Sequence, residues 1–266
     1  MLHRHDEQHG LIVITQPAHA HVSGQLARAW GNAFIGEFSP REEVCLAAEL
    51  HDIGWLAWEA SPTLNFETGT PHSFLDLPTK AHIDIWSGAA RTMLMLNRYA
   101  ALLVSLHGTG LHARYGAKPD SPPQQERDIV QQFMDDQRLL QQELIEELLC
   151  DAWYALFADE RIIDRNRRLL AAWDVMSLKI CMGIRELHTI AHVPSVDGET
   201  TITMQPIDAR PDHFAVHPWP FRDSSVSARF DGRVLKEQFT DEAHMRMALD
   251  QAAWLSLTAT LEPTRD

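Results

Sequence analysis

The sequence predicts a mainly α fold, a helical bundle with a small antiparallel β-sheet drawn from the C-terminal region and joined by an N-terminal strand. Three observations predict it. Apolar residues recur at helical spacing through most of residues 17–188. After Pro194 the texture changes to alternating and β-branched runs separated by turn residues. The run LIVIT at 11–15 is short and β-branched, as strands are.

The helices announce themselves in order. From Pro17, the residues His19, Val22, Ser23, Leu26 and Trp30 recur at helical spacing, and Gly31 offers a stop. Ser39 fits an N-cap, Pro40 the first helical position and Glu42 a capping box. Val44, Ala47, Ala48 and His51 then share one face, with Gly54 just past the end. Residues 60–78 carry Pro62, Gly69, Pro71 and Pro78 and predict a loop. A helix capped by Thr79 bears the stripe His82, Ile85, Trp86, Ala89 and Met93. Another runs from about Ala100 to His107, where Gly108 and Gly110 predict a break. Residues 113–123 predict a linker, roughly 124–157 a long Gln/Glu/Leu helix, and about 161–188 a helix striped by Leu170, Asp174, Ser177/Leu178 and Cys181.

Strands are expected at Thr201–Ile207, His213–Val216 and Val226–Phe230, with a hairpin at Gly232 before Val234–Leu235. Met245–Trp254 reads as helix and Leu255–Leu261 as strand. The expected organisation is a helical metal-binding domain over 1–194 and a β-rich appendage over 195–266 packed on it.

Composition excludes several classes. The 266 residues are 45% apolar and include eight tryptophans, enough for a sizeable core. A net charge of −14 without a Lys/Arg cluster argues against nucleic acid as a partner. The stretch Arg161–Arg168 is interleaved with Asp164 and an apolar stripe, so it predicts a solvated helix face. Cys45, Cys150 and Cys181 are widely spaced and suit a reducing compartment. The N-terminus lacks the apolar stretch of a signal peptide, and no apolar run approaches the ~20 residues that span a bilayer. A cytoplasmic protein without a membrane partner is expected.

Fifteen histidines are many for this length. A histidine on an apolar helix face must satisfy its ring nitrogens, since an unpaired buried polar group costs about 1–3 kcal/mol. Metal ligation satisfies them. His51-Asp52 ends an amphipathic helix, but adjacent helical residues diverge by about 100°. Other helices must therefore close the site, and His19, His82, His107 and Asp174 lie on or beside the apolar stripes of separate helices. Imidazole with carboxylate suits Fe, Mn, Zn, Ni or Co. The pair His5-Asp6 sits in a polar stretch with no helical pattern, so it reads as a decoy.

The ordered pattern H…HD…D, carried by His19, His51-Asp52 and Asp174, resembles the HD-domain superfamily, helical and mostly metal-dependent phosphohydrolases. The resemblance covers roughly residues 17–190. With His82 and His107 inserted, the pattern is similar to members that hold two metals, among them phosphodiesterases and mixed-valent di-iron oxygenases. The resemblance implies a first ion on His19, His51, Asp52 and Asp174, a bridging Asp52, and a second ion on His82 and His107. Phosphodiesterase members often carry an adjacent His pair at the fifth ligand. Here Gly108 follows His107, and the direction of His112 is not fixed by the sequence. The wording QPAHAHVSG, LHDIGWLAWE, VSLHGTGLH, NRRLLAAWDVMSL and HPWPF is also similar to an uncharacterised bacterial family within the superfamily.

The expected function is hydrolysis of phosphate esters or anhydrides in a small-molecule substrate. One or two divalent ions would be bound, His51 and Asp52 would be catalytic, and metal-bound hydroxide would be the nucleophile. A di-iron oxygenase with the same ligands and a non-catalytic, metal-stabilised binding protein are the alternatives. The oligomeric state is not fixed by the sequence.

Overall fold

Two strands open the chain, β1 (Leu2–Asp6) and β2 (Gly10–Ile14), paired antiparallel. The computed structural model describes residues 1–115 and 123–264. Helices α1 (Gln16–Ala29), α2 (Arg41–Leu50) and the short α3 (Leu56–Glu59) follow. A two-stranded hairpin, β3 (Leu64–Asn65) with β4 (Thr70–Pro71), leads to α4 (Thr79–Leu94) and α5 (Arg98–Tyr115). Then come α6 (Gln124–Leu149) and α7 (Glu160–Met182). The C-terminal third supplies β5 (His188–Ser195), β6 (Gly198–Pro206), β7 (His213–His217), β8 (Val226–Leu235), α8 (Glu242–Gln251) and β9 (Trp254–Pro263).

The mainly α expectation is overturned, and with it the helical-bundle fold class and any all-α description. The chain is 49% helical, and seven strands form one curled, mixed sheet resembling half a barrel. Its order is β1-β2-β8-β9-β7-β6-β5, antiparallel except where β7 runs parallel to β9. The sheet was underestimated for physical reasons. β1 (LHRHD) and β5 (HTIAHVPS) are rich in His and polar residues and show no clean alternation. Gly232, expected in a turn, lies inside the ten-residue strand β8, where a Cβ would stand 2.6 Å from Ile12 Cγ2. It is a close-packing glycine and not a hairpin.

Other boundaries move for local reasons. Pro40 caps α2 and no side-chain capping bond forms, so the expected capping box is absent. Helix α5 runs unbroken through Gly108 and Gly110 to residue 115. Gly108 is there because Trp86 of α4 packs on it, 2.8 Å from where a Cβ would be. Residues 116–122 of the expected linker lie outside the described residues. Among the described residues no helix is long and apolar enough to cross a membrane.

Close approach by small residues sets the helix layer. Thr15 caps α1 by accepting from the Ala18 N–H. At Gly24 a Cβ would lie 2.6 Å from Glu49 Cβ, so α1 and α2 touch almost backbone to backbone. At Gly54 it would lie 2.4 Å from the Ile85 carbonyl, which brings the segment after His51-Asp52 onto α4. The core is shared between the layers: Trp30 meets Trp173 of α7 edge-on at 5.7 Å and Phe221 at 5.3 Å. Gly54→Ala should therefore cost about 1–3 kcal/mol in chemical denaturation, as overpacking does. Gly88→Ala should gain up to about 1 kcal/mol, because Gly88 is exposed on α4 with nothing within 4 Å of a Cβ. Equal effects of the two would contradict this packing account.

Candidate metal centre

His51 and Asp52 reach one point because the helix ends between them. His51 keeps helical geometry as the C-cap (φ −58°, ψ −30°), while Asp52 leaves it (φ −95°, ψ 21°). That change removes the 100° divergence expected of helical neighbours, and His51 Nε2 stands 3.6 Å from Asp52 Oδ2. From α1, His19 Nε2 lies 2.7 Å from the same oxygen. From α7, Asp174 Oδ1 lies 3.4 Å from His51 Nε2 and 3.8 Å from His19 Nε2. From α5, His107 Nε2 lies 3.5 Å from Asp174 Oδ2. All five residues are at most 5% exposed.

The hydrogen bonds fix which nitrogen of each ring faces the carboxylates. The Ala48 carbonyl can only accept, so His51 Nδ1–H donates to it at 2.9 Å. His51 Nε2, buried and without a hydrogen-bond partner, is then the nitrogen left to carry a proton or meet an ion. The Ser177 hydroxyl gives its proton to the Asp174 carbonyl at 2.8 Å. It therefore accepts from His19 Nδ1–H at 2.9 Å, and His19 Nε2 stands 2.7 Å from Asp52 Oδ2, where a proton on Nε2 or a metal ion must lie between them.

The ligand atoms of His19, His51 and Asp174 all lie within 4.8 Å of one another. Ligands about 2.0–2.2 Å from a tetrahedral ion stand about 3.3–3.6 Å apart, close to the 3.4 and 3.8 Å that separate Asp174 Oδ1 from the two imidazoles. The donor set therefore fits a divalent ion, with His19, His51 and Asp174 as ligands and Asp52 and His107 within reach. Among the described residues, the ion-pair partners of both carboxylates are histidines.

Electrostatics follow from burial and mutual charge. Desolvation pushes both aspartates up, but His51, His19 and, for Asp174, also His107 outweigh it and hold both below the usual carboxylate range. Desolvation opposes charging His51, yet Asp52, Asp174 and the Ala48 carbonyl raise it to about 9.

Of the six residues read from the sequence, five converge. His82 stands beside them, its ring 5.4 Å from Trp55 and 5.3 Å from His112. It feels the charge of Asp52, but no hydrogen bond or ion pair joins it to the cluster among the described residues. Burial lowers His82 and takes His112 down to about 4. His112 Nε2 is buried without a partner. Two contributors escaped the sequence reading. The Ala48 carbonyl carries no sequence signal. Glu59 of α3 accepts from the Gln16 N–H at the start of α1 with both oxygens, 3.0 Å each, so it ties the His19 helix to the segment after Asp52. The decoy His5-Asp6 lies in β1, where Asp6 caps the turn to His9. Arg28 is paired with Glu49, and Arg168 with Glu199.

Fold and site together define a protein with a buried histidine–carboxylate centre held by helices against a curled sheet. A family model described as "Protein of unknown function (DUF3891)" matches residues 1–237, and the chain belongs to that family. The chain matches no curated protein and no solved structure.

Two outcomes are expected. Ser177→Ala should weaken metal affinity about tenfold by freeing the His19 ring, whereas His21→Ala, an exposed partner of Glu49, should leave it unchanged. For metal-free protein, the His51 pKa is about 9 folded against an ordinary value of 6.5. Its stabilising contribution is therefore fully present below pH 6.5 and is lost as pH rises through about 9. Thermal denaturation of metal-free protein should show Tm falling across that window. With the ion in the proton's place the trend should reverse, metal being released as acid protonates the imidazoles.

Proposed function

We propose that the chain is a metal-dependent hydrolase of phosphate esters or anhydrides. The observation that carries the reading is the pair of Nε2 atoms on His19 and His51, both buried, both with Nδ1 already engaged and both directed at Asp52 and Asp174. The order of the donors along the chain, H…HD…D, supports it, and so does their origin on three separate helices. A divalent ion (Fe, Mn, Zn, Ni or Co), once bound, acidifies water and offsets charge on phosphoryl oxygens.

The chain's own residues do the rest. His19, His51 and Asp174 fix the ion's position. Ser177 and the Ala48 carbonyl lock the two ring tautomers. Asp52, between the two imidazoles, orients the attacking water and receives its proton. His107 approaches from the far oxygen of Asp174. His82 and His112, both neutral at pH 7 and partly exposed, stand beside the centre. They offer N–H donors to the substrate or ligands to a second ion.

A second reading, a di-iron oxygenase with the same ligands, is favoured by one observation. A phosphate substrate calls for a cation, yet Arg28 and Arg168 are taken up by Glu49 and Glu199. One panel separates the two. Metal-loaded protein is incubated with aryl phosphate mono- and diesters and with nucleotides, with and without O₂. The hydrolase reading expects phosphate release that needs metal but not O₂, and a drop of about a hundredfold or more in Asp52→Ala. Iron-dependent O₂ consumption without phosphate release would replace it with the oxygenase.

A further inference from the structure

A cavity lies across α1 from the metal centre. While His19 faces Asp52, the other side of α1, with Pro17, Ala18 and His21, walls this cavity of about 650 Å³. Its remaining walls come from β8, α8, the start of β9, Met1 and Val13 at the N-terminal strands, and the segment from Glu59 to Pro62. The volume falls in the range of about 300–1,000 Å³ typical of small-molecule sites.

The cavity occupies a notch in the sheet. Strand β2 pairs with β8 from Leu235 back to Arg233 and goes no further. At the far end of the cavity, Gln25 of α1 does a strand's work. Its amide donates to the Arg229 carbonyl at 2.8 Å and accepts from the Arg229 N–H at 2.9 Å. In a strand, residues two apart point their backbone groups the same way. The N–H and C=O of Asp231, midway between Arg229 and Arg233, therefore point into the notch. Among the described residues no strand and no side chain takes them on that edge.

The surrounding side chains complete the pattern. Arg229 makes one long hydrogen bond, 3.4 Å to Ser256 Oγ, and no ion pair among the described residues. The Arg233 guanidinium lies 4.4 Å over the Trp254 indole and donates to the Leu249 carbonyl, with Asp250 no nearer than 3.7 Å. Both keep spare N–H donors from five each. The acids of the wall are already engaged: Asp231 accepts from Ser256 Oγ at 2.6 Å, and Glu59 accepts from Gln16. Arg246 is held by Glu242 and the Pro62 carbonyl. The Trp254 ring is 65% exposed.

We infer that this notch binds a short, extended peptide-like ligand with a free carboxylate. Its amide completes the β8 edge at Asp231, as in strand addition. Its carboxylate is held by Arg229 and Arg233, whose planar forks match that group.

The test is NMR of the ¹⁵N-labelled full chain, titrated with N-acetylglycylglycine and with its C-terminal amide. The carboxylate form should give saturable shifts at the Asp231 amide and the Trp254 indole. The amide form should bind about tenfold more weakly, a difference of about 1.4 kcal/mol. Arg229→Gln combined with Arg233→Gln should bring the carboxylate form down to the affinity of the amide form. Absence of saturable shifts at Asp231 up to millimolar probe, equal affinity for the two probes, or shifts confined to the helices of the metal centre would each overturn the inference.

Discussion

Two buried carboxylates facing three imidazoles are the constraint on which the helical layer depends. Placing Asp52 and Asp174 in the interior is unfavourable unless cations compensate them, and their ion-pair partners among the described residues are histidines. Each imidazole can supply that positive charge as a proton or share it with a metal ion. The Ala48 carbonyl and Ser177 decide which nitrogen is available, so the centre is prepared before any ion arrives.

The rest of the helix layer holds those five side chains in place. Gly24 lets α1 lie against α2, and Gly54 lets the segment after Asp52 lie against α4. Gly108 makes room for Trp86, whose ring stands 5.7 Å from that of His107. The sheet braces the arrangement from the other side. Gln25 fixes α1 to β8, and Trp30 of the α1 C-cap meets Trp173, the residue before Asp174. A methyl group at any of these glycines would push on the elements that carry those side chains.

The site was more legible in the sequence than the fold. His19, Asp174 and His107 fall on apolar stripes, where a polar side chain demands a partner, and that demand is readable without coordinates. The sheet was not readable in the same way. β1 and β5 lack apolar alternation, and Gly232 gave the signal of a turn while filling a packing role inside a strand. Sequence spacing also could not foresee that α5 continues through two glycines. The continuous helix carries His112 to His82 while His107 reaches Asp174. Which histidines group together is a tertiary fact, and the resemblance to a two-metal pattern gave only the candidates.

A divalent ion at this centre would be held by His19, His51 and Asp174. Anomalous diffraction from crystals of the protein loaded anaerobically with iron or manganese tests that assignment most directly. The account predicts a peak within about 2.0–2.3 Å of His19, His51 and Asp174. Metal-bearing crystals whose anomalous peaks all lie elsewhere, with His51 Nε2 still facing Asp174 across an empty gap, would contradict it.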